Sequence, residues 1–166
     1  MKLKVRKMTA LAITVSIALI LSFIESRIPA FVAIPGIKVG LANIAVIFTL
    51  YKLGAKEASL ISILRVILVS LLFGSPVSFI YSLTGAILSF AVMILLKRFT
   101  SLATVTVSVS GGVMHNIGQI IAASFMLSTN VVLYYLPFLL LSGTLAGIVI
   151  GTVSALIVKR VKLDLG

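Results

Sequence analysis

Long apolar stretches, separated by short polar or basic segments, run along almost the whole chain. Each stretch is continuous, whereas a membrane barrel would alternate apolar and polar residues in segments of ~10 residues. Because an α-helix needs about 20 apolar residues to cross the ~30 Å hydrocarbon core of a bilayer, the pattern predicts an all-α integral membrane protein. We expect a bundle of about six transmembrane helices, forming one transmembrane domain over residues 1–166. The predicted helices cover residues 8–26, 39–53, 57–73, 77–96, 105–127 and 131–158.

Three segments allow a second interpretation. The basic start followed by Met8–Ser26 resembles a signal peptide, but the run is long enough to span a bilayer and no clear cleavage site follows, so we assign a retained first helix. Thr104–Ser110 alternates with the period of a strand, yet it leads directly into an apolar run, and we place it at the start of helix five. Helix six is expected to begin or bend at Pro137.

The composition supports the membrane assignment. Hydrophobic residues make up 61% of the chain and charged residues only 10%, against roughly 45–50% and 25% in soluble domains. The formal net charge of +11 would suit nucleic acid, but the basic residues form short clusters between apolar stretches rather than one basic face. We therefore expect a chain surrounded by lipid bilayer, with no soluble catalytic domain and no nucleic-acid partner.

The distribution of basic residues predicts the orientation, since Lys and Arg are retained in cytoplasmic connections. With a cytoplasmic N-terminus, only Arg27 and Lys38 lie in an outer connection. We expect a multi-pass plasma-membrane protein with both termini in the cytoplasm. The basic residues then on the cytoplasmic side are Lys2, Lys4, Arg6, Lys7, Lys52, Lys56, Lys97, Arg98, Lys159, Arg160 and Lys162.

Arg65 stands near the middle of helix three, where a charge costs about 2.5–3.5 kcal/mol on the insertion scale. Such a residue must face protein, water or ligand. Ser59 and Ser62 precede it at a spacing of three, and this polar stripe can face an internal cavity. The alternative is a structural ion pair with Glu25, the only candidate anion on that half of the bundle.

Helix five carries the densest polar group, His115, Asn116 and Gln119. His115 and Gln119 share a helix face, which Ser108 and Gly112 extend. A single membrane histidine often only bonds a neighbouring helix, but three such side chains beside glycines favour a ligand pocket. Two further wall residues are expected on helices two and four. The predicted substrate-binding residues are Asn43, Arg65, Tyr81, His115, Asn116 and Gln119.

Small residues at a spacing of four let membrane helices approach closely. We interpret two such lines, one on helix six and one on helix four, as packing inside the bundle: Gly143, Gly147 and Gly151, and Ser78, Ser82 and Ala86. Helix one has two more, which either pack internally or contact another membrane subunit. They comprise Ala10, Thr14 and Ala18, and Ala12 and Ser16.

Several motifs are missing from the sequence. Its three acidic residues, Glu25, Glu57 and Asp164, are too scattered to hold the magnesium of a prenyl-diphosphate enzyme. There is no Gly-rich phosphate loop for ATP hydrolysis and no cysteine. We therefore expect no catalytic residues, no metal site and no cofactor. Active transport would need energy from a partner or an ion gradient.

The Pro/Gly-rich segment Ile34–Gly40 and the following Leu41–Asn43, in a short six-helix chain, give a family resemblance. The chain resembles the substrate-binding S subunits of energy-coupling-factor vitamin transporters. More narrowly, it resembles the group labelled "Gx transporter" or "heptaprenyl diphosphate synthase component I". The resemblance covers nearly the whole chain.

The resemblance to S subunits implies a pocket that opens outward, a first outer loop that helps close it, and a transmembrane coupling subunit that works with ATPase subunits. The implied contact face on helix one is Ala10, Ala12, Thr14, Ser16 and Ala18. The vitamin transporters have alanine at a spacing of four, whereas this sequence has Ala-Thr-Ala and Ala-Ser at that spacing. The synthase label instead implies a non-catalytic accessory role in isoprenoid or quinone metabolism. The leading hypothesis is capture of a polar or anionic small molecule.

Overall fold

The structure, a computed structural model, describes residues 2–27, 40–129 and 131–163, with the side chains of residues 2–4 excepted. This part of the chain forms six α-helices and no strand. A 3₁₀ helix, Val131–Tyr135, leads into the last of them. The α-helices are α1 (Lys2–Arg27), α2 (Asn43–Lys52), α3 (Ala55–Phe73), α4 (Pro76–Phe99), α5 (Thr104–Leu127) and α6 (Leu136–Arg160).

The six predicted helices are confirmed, but α1 and α2 have limits that differ from the predicted ones. α1 begins at Lys2, six residues before the apolar run, because a helix can continue beyond the membrane into its basic flank. α2 has only 10 residues, a length of ~15 Å, which is about half of a ~30 Å bilayer core. The predicted start of helix two at residue 39, and the motif up to residue 39, lie outside the described residues.

Helices α2 to α6 form a ring in which α2 packs on α3, α3 on α4, α4 on α5, α5 on α6, and α6 again on α2. α1 packs against α3 and α2. The short α2 is the most deeply buried element, and its Ile47 and Leu50 are each 1% exposed. Since lipid tails are as apolar as leucine, close packing rather than the hydrophobic effect holds such helices together.

Glycines bring α5 into backbone contact with its neighbours. A Cβ placed on Gly147 would lie 2.5 Å from the Cα of Val109, and one on Gly118 would lie 2.9 Å from the Cα of Gly85. Neither distance leaves room for a side chain, so these positions require glycine. The predicted internal packing of the glycine line on helix six is therefore present, with α5 as its partner.

Three helical segments are long and apolar enough to cross a membrane: Val5–Arg27, Pro76–Phe99 and Val131–Arg160. α3 and α5 are also long, with 19 and 24 residues, but they are less apolar because they carry charged and polar side chains in their interiors. The outer surface of the bundle is apolar, as illustrated by Leu71 and Phe125 at 78% and 80% exposure. The fold class predicted from the sequence, an all-α membrane protein, is confirmed.

The two ends of the bundle differ in charge. At one end, which we call the basic end, Lys7 forms an ion pair with Glu57, and Lys97 Nζ donates to the Leu50 carbonyl oxygen in the last turn of α2. A lysine in this position stabilises the negative end of the helix dipole. The opposite end, where α1 and α3 end and α4 begins, we call the cavity end.

Candidate functional site

A cavity of about 500 Å³ lies inside the helix ring. It reaches the surface at the cavity end, where its lining residues Phe73, Gly74 and Ser75 are exposed. It extends inward as far as Met93 and Ile150. This volume falls within the ~300–1,000 Å³ that is typical of small-molecule sites.

Five of the six predicted substrate-binding residues line this cavity: Asn43, Arg65, His115, Asn116 and Gln119. They come from three helices, so the fold brings together residues that are up to 76 positions apart in the sequence (43 to 119). The sixth, Tyr81, is not among the described residues that line it. Its neighbour Ser82 is, and consecutive residues project about 100° apart around a helix.

Arg65 faces the cavity and is held by α2. Its Nη1 donates to Asn43 Oδ1 at 3.1 Å, and Asn43 is the first residue of α2. The alternative partner, Glu25, also lines the cavity and attracts Arg65 electrostatically. However, its Oε1 accepts the N–H of Gly40. Arg65 therefore lines the cavity with Asn43 as its direct hydrogen-bond partner, and its role in ligand binding stays a prediction.

The polar group of α5 is arranged by the helices on either side. Asn116 Nδ2 donates to the Leu139 carbonyl oxygen of α6 at 2.6 Å, which fixes its amide. His115 lies against α4, where a Cβ on Gly85 would come within 2.9 Å of the imidazole. Gln119 Oε1 is buried and has no hydrogen-bond partner among the described residues. A buried acceptor without a partner costs about 1–3 kcal/mol, so a ligand that donates to it would gain this energy.

Serine hydroxyls make up much of the remaining wall. Ser108 was predicted to lie on the same face of helix five as His115, and it lines the cavity. Ser78 and Ser82 were predicted to pack inside the bundle, whereas both line the cavity. A spacing of four on one face of α4 was the available signal, and it does not distinguish packing from lining. Five further lining serines were not foreseen: Ser22, Ser26, Ser70, Ser75 and Ser89.

A second hollow, which we call the apolar groove, lies between α1, α2 and α6. Its volume is about 540 Å³, and its walls are mostly large aliphatic and aromatic side chains such as Ile13, Ile17 and Phe48. Arg6 lines it near the basic end. No group of three or more His, Asp or Glu side chains able to hold a metal ion occurs within residues 2–27, 40–129 and 131–163.

The two small-residue lines of α1 face different surroundings. Thr14 and Ala18 are 5% and 0% exposed, so this line packs within the bundle, and Thr14 donates to the carbonyl oxygen of Ala10 at 2.7 Å. Ala12 and Ser16 are exposed. Of the five residues predicted to contact a partner subunit, these last two present an open surface in this structure, whereas Thr14 and Ala18 are covered.

Fold and cavity together define a helical membrane protein with a polar chamber open at one end. The family of heptaprenyl diphosphate synthase component I matches residues 14–157. The chain therefore belongs to the heptaprenyl diphosphate synthase component I family. Comparison with curated proteins gives no match, and neither does comparison with solved structures. The resemblance to energy-coupling-factor subunits stays a prediction.

Proposed function

We propose that this protein is the membrane substrate-binding subunit of a small-molecule uptake transporter. It captures a polar or anionic ligand from the outer side of the plasma membrane. The observation that carries this proposal is the cavity, which collects Asn43, Arg65, His115, Asn116 and Gln119 and reaches the surface at one end.

The chemistry of the wall favours a polar ligand. A guanidinium in mid-membrane is expensive to bury, and a bound anionic group would offset that expense while using donors that Asn43 leaves free. The serines and the amides of Asn116 and Gln119 add both donors and acceptors. A hydrocarbon chain would leave these groups without partners, which is unfavourable in a low-dielectric site.

The direction of capture follows from the charges. The basic clusters lie at the end opposite to the opening, and the positive-inside rule assigns them to the cytoplasm. The opening then faces outward, and both termini are cytoplasmic. A ligand entering from outside would meet the polar residues of the cavity wall, Arg65 among them.

Active uptake needs energy from a partner or an ion gradient, since the chain carries no ATP-binding loop. A transmembrane coupling subunit with its ATPase subunits would supply the energy. The exposed line Ala12 and Ser16 on α1 offers a smooth surface on which another membrane helix can approach closely. We assign the partner contact to this line and not to the covered residues Thr14 and Ala18.

Native mass spectrometry of the gently purified protein tests the proposal. We expect a stoichiometric polar metabolite that is lost in Arg65→Ala and His115→Ala, while Arg98→Ala, an exposed arginine at the basic end, retains it. Loss of one charge-assisted hydrogen-bond partner should weaken binding by about 10- to 100-fold. Recovery of lipid or prenyl species alone, or of a prenyl synthase without a small ligand, would contradict capture.

A second function, a non-catalytic accessory role in isoprenoid or quinone metabolism, is favoured by the family's name and by the apolar groove with Arg6 near the basic end. In this case a prenyl diphosphate would lie in the groove with its chain against Ile13 and Phe48. Ala10→Phe should obstruct the groove that Ala10 lines and weaken binding of such a molecule, while Ala12→Phe, exposed on the same helix, should not. Equal binding by both variants would exclude the groove as the site.

A further inference from the structure

Two ionisable side chains of opposite charge line the cavity, Glu25 on α1 and Arg65 on α3. Each has a neutral hydrogen-bond partner: the Gly40 N–H donates to Glu25 Oε1, and Arg65 Nη1 donates to Asn43 Oδ1. A guanidinium has five N–H donors and a carboxylate about four acceptor positions. These bonds occupy one donor and one acceptor position, so both groups retain capacity for a ligand.

The two charges flank one short segment of backbone. The Asn43 N–H donates to the Gly40 carbonyl oxygen at 2.8 Å, and a Cβ on Gly40 would lie 3.2 Å from Asn43 Nδ2. Gly40, which holds the carboxylate, and Asn43, which holds the guanidinium, are therefore adjacent. One small molecule in the cavity can reach both charged groups.

This pairing of charges discriminates among ligands. A simple anion bound to Arg65 would meet repulsion from Glu25, and a simple cation would meet repulsion from Arg65. In a site of low effective dielectric constant both penalties are larger than in water. A molecule that carries both charges avoids them. The cavity wall also includes Gln119, whose buried Oε1 has no partner among the described residues and is suited to a further N–H or O–H donor.

We propose that the captured ligand is a small zwitterion, whose acidic group binds Arg65 and whose protonated amine binds Glu25. This inference rests on the proposed capture function and narrows it to amino-acid-like molecules. The carboxylate of Glu25 thereby becomes a specificity determinant, which excludes acids that lack an amine.

The test measures thermal unfolding and ligand affinity of the full chain in lipid nanodiscs. The probes are the L-amino acids, the corresponding acids without the amine, and the corresponding amines without the carboxylate. Glu25→Gln keeps the size of the side chain and an oxygen that can accept the Gly40 N–H, but it removes the charge and exchanges one acceptor oxygen for an NH2 group. Glu57→Gln, which removes the same charge from the ion pair with Lys7 at the basic end, is the matched control.

We expect at least one amino acid to raise the unfolding temperature, as a ligand that binds the folded state must, while its amine-free and acid-free counterparts do not. Glu25→Gln should lower the affinity for that amino acid by about tenfold or more. The same variant should bind the amine-free acid at least as tightly as the wild type does. Arg65→Lys, which keeps the charge but loses the forked geometry, should weaken binding of the amino acid and of the amine-free acid.

Two results distinguish a failure of the zwitterion proposal from a failure of the capture function. If the amine-free acid binds the wild type as tightly as the amino acid does, and Glu25→Gln has no effect, the zwitterion is wrong while capture of a polar ligand stands. If no amino acid, amine-free acid or acid-free amine stabilises the protein, the zwitterion is wrong, and the mass-spectrometric test then decides capture: a different stoichiometric polar metabolite keeps the capture function, and recovery of prenyl species alone overturns both.

Discussion

The cavity and the apolar groove have nearly the same volume, about 500 and 540 Å³, but their walls are opposite in chemistry. The cavity lies inside the helix ring and is lined by serines, amides and two charged groups. The groove lies between α1, α2 and α6 and is lined mainly by aliphatic side chains. Polar groups in a membrane protein are hidden from lipid, so position in the bundle decides which hollow can be polar. Volume alone would not distinguish their ligands.

The largest expected effect comes from forcing apart α5 and α6, whose backbones touch beside the cavity. In Gly147→Val, the added side chain would collide with the Val109 backbone, since even a Cβ lies 2.5 Å from its Cα. We expect the free energy of unfolding to fall by about 3 kcal/mol, as measured by denaturation in detergent. Ala12→Val, on the exposed face of α1, is the control and should unfold like the wild type. Equal stability of both variants would mean that α5 and α6 do not depend on this contact.

An intermediate effect separates two neighbouring amides of α5. Gln119→Leu removes a buried acceptor without a described partner, so the empty protein should be unchanged or up to about 1 kcal/mol more stable. Asn116→Leu removes the bond to Leu139 and should destabilise it by about 1–2 kcal/mol. Both variants should bind a cavity ligand less well, about fivefold to tenfold for Gln119→Leu.

Thermal unfolding with and without ligand measures both quantities for this pair. Neither substitution should change the affinity for a lipid probe that binds in the apolar groove. Gln119→Leu would contradict the cavity assignment if it destabilised the empty protein as strongly as Asn116→Leu.

The smallest effect compares two adjacent hydroxyl groups on α4. Ser82→Ala removes a hydroxyl from the cavity wall and should lower the affinity for a polar ligand by about twofold to fivefold. Tyr81→Phe removes a hydroxyl that is not part of that wall and should leave affinity unchanged. Titration calorimetry in detergent resolves differences of this size. A larger loss in Tyr81→Phe would return Tyr81 to the site predicted from the sequence.

Charged and amide side chains are the ones that the sequence alone could place inside the bundle. Arg65, Asn116 and Gln119 cannot face lipid without a large penalty, so their presence in apolar helices already directs them to the interior. Serine carries no such constraint, because its hydroxyl can donate to a carbonyl oxygen of its own helix. The exposed Ser16, which donates to Ala12 at 3.0 Å, illustrates this. Apart from Ser108, which shares a helix face with Gln119, the serines of the cavity wall therefore could not be told apart from lipid-facing ones.

Two helix ends were predicted to the residue, Phe73 of α3 and Leu127 of α5, because a turn follows the apolar run there. Lys52 ends α2 and the prediction ended one residue later, because hydropathy and helix stop together at that point. α1 extends back to Lys2, since hydropathy reports the edge of the membrane and not the end of the hydrogen-bonded helix. The contact between Asn43 and Arg65 joins residues 22 apart, and no local pattern contains that information.

The glycine contacts that join α4, α5 and α6 also have a mechanical consequence. Where backbone touches backbone, as between Gly147 and Val109 or between Gly118 and Gly85, no side chain can change rotamer to absorb a displacement. These three helices should therefore move as one rigid body. α1, α2 and α3 contribute side chains of mixed size to the buried core, such as Ala18, Ile47 and Ile61, and helices that pack through side chains can slide past one another in shear motions. We therefore expect a bound ligand to move α1, α2 and α3, the helices that include Glu25 and Arg65, relative to the other three.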